Sequence, residues 1–71
     1  MSLMYQALVA KYEADLLEAK ATLEVYLNNS VGIGEHPQHL EEMDKMVGRM
    51  ESASGKLKAL KSNFNEKGMA I

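Results

Sequence analysis

Asn28-Asn29-Ser30-Val31-Gly32-Ile33-Gly34-Glu35-His36-Pro37 is the stretch that divides this chain. Asn and Gly tolerate the left-handed backbone that ends helices. Pro suits a first helical turn, because its missing N–H would have no partner there. The run therefore reads as a stop followed by a start. Upstream, residues 3–28 contain neither Gly nor Pro and are dominated by Ala, Leu, Glu and Lys, all strong helix formers. Downstream, Glu41, Glu42 and Asp44 occupy early turns, where the helix dipole favours negative charge, and Gly68 offers a C-terminal stop. The pattern predicts a helix over about 3–28, a loop over about 29–36 and a helix over about 37–67, forming one domain. Gly48, Ser52, Ser54 and Gly55 weaken the second helix, but the apolar period crosses them without a phase slip. One continuous helix is therefore expected there. At 1.5 Å per residue the two helices would be roughly 39 and 45 Å long, which describes an all-α, antiparallel two-helix hairpin.

The apolar residues supply the faces. In the first helix Tyr5, Val9, Tyr12, Leu16, Ala19, Leu23 and Tyr26 recur at alternating steps of four and three, a seam of the coiled-coil type. In the second, Leu40, Met43, Val47, Met50, Ser54, Leu57, Lys61 and Phe64 give the matching series, which Met46, Ala53 and Leu60 widen. Ala7, Ala10, Ala14, Leu17 and Ala21 form a further series, nearly opposite the first helix's large-residue seam. Ala on an exposed face can be mere helix propensity. It can equally mark a neighbouring helix in close approach, and two helices alone cannot cover both faces.

Size points to the same need. A chain of 71 residues buries only about 60% of its unfolded surface, and with no Cys it has neither disulfides nor Cys-based zinc to hold it. Pairing two hairpins into a four-helix bundle covers more of each apolar stripe, so a homodimer or higher even oligomer is expected. The expected interface draws on Tyr5, Val9, Tyr12, Leu16, Leu23, Tyr26, Met43, Val47, Met50, Leu57, Leu60 and Phe64, together with the Ala7–Ala21 series and Leu17.

Charge is unevenly spread. The net charge is −2, but residues 1–44 hold eight acids and two bases, a net of −6, and residues 45–71 hold six bases and two acids, a net of +4. In the second helix, acids lead and bases trail, as its own dipole favours. The same polarity would suit antiparallel apposition of two copies of that helix. Lys56, Lys58, Lys61 and Lys67 are the one basic cluster capable of phosphate contacts. The chain has a single Arg, and Phe64, the aromatic near the cluster, belongs to the seam, so a nucleic-acid partner is disfavoured.

Chemistry is sparse. Gly32 and Gly34 lack the third Gly and the preceding strand of a phosphate loop. His36, His39 and Glu42, with Glu35 and Glu41 beside them, are plausible metal-ligand types, but an exposed polar loop and helix cap is the favoured reading of them and no metal is expected. Ser30, Glu35 and His36 are too close in sequence to assign a catalytic triad, so no catalytic residue, cofactor or enzymatic activity is expected. No basic segment precedes an apolar run as in a signal peptide, and no run reaches the roughly 18–20 apolar residues of a membrane span. A soluble, intracellular protein is expected, and Met1-Ser2-Leu3 carries no functional weight in this reading.

The run Leu23-Glu24-Val25-Tyr26-Leu27-Asn28-Asn29-Ser30-Val31-Gly32-Ile33-Gly34-Glu35-His36-Pro37, followed by a Met- and Leu-seamed helix ending in Leu60-Lys61-Ser62-Asn63-Phe64, resembles small uncharacterised proteins of tailed marine phages. Their relatives are products of cyanobacterial phages and ocean metagenomes. The resemblance covers about residues 12–65, with Val31-Gly32-Ile33-Gly34-Glu35-His36-Pro37 its distinctive part. It implies a viral, host-cytoplasmic setting, in which an unidentified viral or host protein is an expected partner besides a further copy of the chain. It carries over no functional residue.

Overall fold

The computed structural model describes residues 2–28 and 39–71. The expected loop, the Pro37 helix start and His36 lie outside the described residues. Two α-helices make up the fold: α1, Leu3–Asn28, and α2, His39–Asn63. Their packing is antiparallel, as the cross-helix contacts show. Tyr26 stacks edge-on against His39 with ring centroids 5.6 Å apart. Arg49 Nη1 lies 3.8 Å from Glu18 Oε1. Lys56 Nζ sits 5.7 Å from the centre of the Tyr12 ring. As α1 is followed back towards its start, its partners advance along α2. The result is a rod of 49 × 16 × 14 Å.

The seam of α1 is the one its spacing predicts. Tyr5, Val9, Tyr12, Leu16, Leu23 and Tyr26 are half-buried and Ala19 is fully buried. The seam of α2 differs from the expected one. Met46 and Ala53 are the buried residues, with His39, Met43, Met50, Leu57 and Leu60 half-buried around them. Leu40, Val47, Ser54 and Lys61 are exposed, so the row containing them lies to one side. Met46, Ala53 and Leu60 are thus the facing positions, and not a widening of another stripe. The row 39, 43, 46, 50, 53, 57, 60 keeps the four–three alternation and carries no Lys, Asp or Glu. Burying the Lys61 row instead would place an ammonium against the tyrosines of α1, at a desolvation cost nothing there repays.

α2 runs unbroken through Gly48 and Gly55, and it ends at Asn63, four residues before the expected limit. The reason is local. Asn65 Oδ1 accepts the backbone N–H groups of Lys67 (3.0 Å) and Met69 (3.1 Å), a side-chain turn that competes with helix continuation. The chain then reverses through Gly68, whose φ of +77° lies in the left-handed region. An isolated antiparallel bridge joins Phe64 and Ala70. This hook also holds the start of α1: Ser2 N–H donates to the Glu66 carbonyl at 3.1 Å. Ser2 is the N-cap of α1, its Oγ accepting the Tyr5 N–H at 3.1 Å. Residues given no weight on sequence grounds therefore tie the two ends of the chain together.

Candidate interaction surfaces

The hairpin leaves exposed about half of the large apolar side chains among its described residues. Among the described residues only Ala19, Met46 and Ala53 are buried, whereas eleven large hydrophobic residues are exposed. The chain's accessible surface is 5488 Å². A compact monomer of 7.9 kDa would show about 4,400 Å². The surplus of roughly 1,000 Å² follows from geometry, since two helices side by side can cover only one face of each.

Among the described residues, most of the exposed apolar surface falls into three places, with Met69 and Ile71 exposed besides in the C-terminal hook. The first is the side of α1 turned away from α2. Leu3 (80% exposed), Ala7, Ala10, Ala14, Leu17 (66%) and Ala21 lie along it, and Val25 lies at its edge. Successive residues step about 100° around a helix, which places this row about 170° from the Tyr5–Tyr26 seam. The Ala series singled out in the sequence is thus an unpartnered face of the hairpin. The second is an open groove near the His39 end, lined by Leu23, Leu27, Leu40, Met43 and Val47. The third is an open groove by the termini, lined by Met4, Leu8, Leu60 and Phe64. Val47 and Phe64, expected at an interface between chains, belong to these grooves. Leu23, Met43 and Leu60 are half-buried and line the same grooves with their outer sides, and Val9, Tyr12, Leu16, Tyr26, Met50 and Leu57 are half-buried along the seam. Leu27 and Leu40 line one groove because α2 is turned with Met46, and not Val47, towards α1.

The polar surface is made of exposed pairs. Lys11 Nζ lies 3.5 Å from Asp15 Oδ2, and Lys45 Nζ lies 3.2 Å from Glu42 Oε1. Such exposed pairs contribute about 0–1 kcal/mol each. Glu42, a candidate ligand, is therefore engaged with Lys45, and His39 packs its ring against Tyr26. Among the described residues, no three His, Cys, Asp or Glu side chains gather into a metal-holding group. The lysine cluster does not form one patch either. Lys56 turns to the Tyr12 side, Lys58 lies about 160° further round the helix, and Lys67 is in the hook. The acid-to-base gradient along α2 is present, with Glu41 and Glu42 in its first turn and Lys61 in its last. Its outward face, however, carries Asp44, Gly48, Glu51 and Gly55, which offer no apolar seam to a second copy.

Among the described residues, no helix is long and apolar enough to cross a membrane. The two-helix fold with unpaired apolar faces defines the class of protein structurally. The chain matches no protein family, no curated protein and no solved structure.

Proposed function

We propose that the chain is a non-catalytic protein-interaction module, a helical hairpin whose apolar faces are completed by protein, and first of all by further copies of itself. The observation that carries this reading is the imbalance of its burial: three buried residues against eleven exposed large hydrophobic ones among the described residues. Soluble monomers rarely present contiguous apolar patches larger than a few hundred Å², and larger ones mark association surfaces. Four helices from two chains would cover the faces that one hairpin leaves open. We propose a viral structural or accessory setting, with an unidentified viral or host protein as a further partner, on the sequence resemblance of residues 12–65 alone.

The test is sedimentation equilibrium between about 1 and 100 µM, together with melting curves over the same range. A homo-oligomer shows a mass above 7.9 kDa and a melting temperature that rises with concentration, as linkage of folding to association requires. A cooperatively folded monomer with a concentration-independent melting temperature would overturn the oligomeric reading.

A further inference from the structure

The unpartnered face of α1 carries a charge pattern that specifies its occupant. The row 3, 7, 10, 14, 17, 21 is flanked on one edge by Lys11 and Glu18, and on the other by Glu13 and Lys20. Each edge therefore bears one cation and one anion seven residues apart, in opposite order on the two edges. All four side chains are exposed in the hairpin; Lys11 also lies 3.5 Å from Asp15 and Glu18 3.8 Å from Arg49, so the Glu13–Lys20 edge carries the specificity most directly. In coiled-coil pairings these flanking positions set orientation and register.

We propose that a second copy of this chain docks antiparallel across this face of α1, with Ala14 against the partner's Leu17 and Ala10 against the partner's Ala21. The two-fold axis passes between residues 15 and 16. In that register Lys11 meets the partner's Glu18 on one edge and Glu13 meets the partner's Lys20 on the other, and symmetry doubles both, giving four opposite-charge pairs. The apolar edge residues Met4 and Val25 meet in the same way. The neighbouring heptad registers and the parallel pairing are worse. Sliding by one heptad in one direction opposes Lys11 to the partner's Lys11 and Glu13 to the partner's Glu13. Sliding in the other direction opposes Glu18 to the partner's Glu18 and Lys20 to the partner's Lys20. A parallel pairing sets Glu13 against the partner's Glu18 on both sides. The small side chains permit a close interhelical distance, near the short end of the ~8–10 Å range. In this register the row meets itself over residues 10–21 of both copies, and beyond that span Ala7 and Leu3 lie opposite the partner's Glu24 and the partner's Asn28. This pairing rests on the interaction-module reading above and specifies which face it uses.

The experiment is a charge-swap cycle read by sedimentation velocity on the full chain at about 20 mM salt, where screening is weak. Lys20→Glu places Glu opposite Glu13 twice per dimer and weakens dimerisation by about tenfold. Glu13→Lys does the same, although it brings the net charge from −2 to zero and so reduces general repulsion. The double variant E13K/K20E restores the dissociation constant to within about threefold of the original, and about 0.5 M salt compresses all the differences. Leu17→Glu, at a position 66% exposed in the hairpin, abolishes the dimer while leaving helix content by circular dichroism unchanged. If the unmodified chain is a monomer at about 100 µM, both this pairing and the oligomeric reading fail. If it is a dimer that Leu17→Glu leaves intact and Val47→Glu dissociates, the α1 pairing alone fails and the Leu27–Val47 groove is the interface. Single swaps that weaken the dimer without rescue in the double variant overturn the antiparallel register.

Discussion

Met46 and Val47 are neighbours in sequence and opposite in fate, which makes their truncation a direct test of how α2 is turned. Met46 is 7% exposed between the helices, and Val47 is 50% exposed beside them. Met→Ala in a packed interior costs about 2–5 kcal/mol through lost transfer energy and the cavity left behind. The interior here is one side chain thick, so surrounding groups can partly collapse and a value of about 2–3 kcal/mol is expected. A chain of 71 residues has a total stability of about 4–10 kcal/mol. Met46→Ala therefore removes a large share of it and lowers the melting temperature by about 8–24 °C, at ~4–8 °C per kcal/mol. For Val47→Ala, losing two half-buried methyl groups costs about 0.8 kcal/mol. The better helix propensity of Ala returns about 0.5 kcal/mol of that. The net change should stay within about 0.5 kcal/mol. Urea or thermal denaturation in the Leu17→Glu background keeps association out of the comparison. A Val47→Ala variant destabilised as much as Met46→Ala would refute the register of α2 described above.

Other substitutions probe separate features. Ala19→Leu adds three heavy atoms at a fully buried position between the helices and should cost about 1–3 kcal/mol in urea denaturation. Gly48→Ala and Gly55→Ala should each stabilise the chain by about 0.5–1 kcal/mol. An added Cβ at either position meets nothing within 4 Å, so the gain is measurable as a raised melting temperature. Ser2→Ala removes the cap of α1 and should cost about 1 kcal/mol, with faster amide exchange at Tyr5. Gly68→Ala should destabilise by a further route. It combines a φ of +77° with a Cβ placed 3.2 Å from Ser2 Cβ, and the same Tyr5 amide reports it by NMR.

The first helix was legible because a single phase of its sequence satisfies the large residues. Tyr5, Tyr12 and Tyr26 fall on the same row as Leu16 and Leu23, and no competing row has comparable bulk. The second helix offers two rows one residue apart. Leu40 and Val47 recommend one, while Met46 and Leu60 recommend the other. Side-chain volume alone does not separate them. The charge of Lys61 and the small size of Ala53 opposite the tyrosine seam decide in favour of the second, because a close antiparallel approach needs a small apolar residue and not an ammonium. The hook was illegible for a different reason. Asn65 and Gly68 advertise a turn, but the hydrogen bond from Ser2 to Glu66 joins residues 64 positions apart, and no local pattern encodes such a contact. The His36–His39–Glu42 grouping drew notice as a set of ligand types. The structure gives Glu42 to Lys45 and His39 to Tyr26, each an ordinary use of a polar residue at a helix start.

The asymmetry between the two helices orders any assembly built from them. α1 is apolar on two nearly opposite sides, and a helix apolar on both sides belongs in an interior. α2 is apolar on one side and presents Asp44, Gly48, Glu51 and Gly55 on the other, which belongs at a surface. Under the proposed pairing the helices therefore stand in the sequence α2, α1, α1, α2, as a row and not as a square bundle with a shared centre. In a square bundle each helix contributes faces about 90° apart, and the faces of α1 are about 170° apart. The row also explains why Gly48 and Gly55 are tolerated in α2: they lie on its solvent side, where they cost helix propensity but no packing. The stability they forgo is then supplied from the other side of the molecule, by the face of α1 that the hairpin itself leaves uncovered.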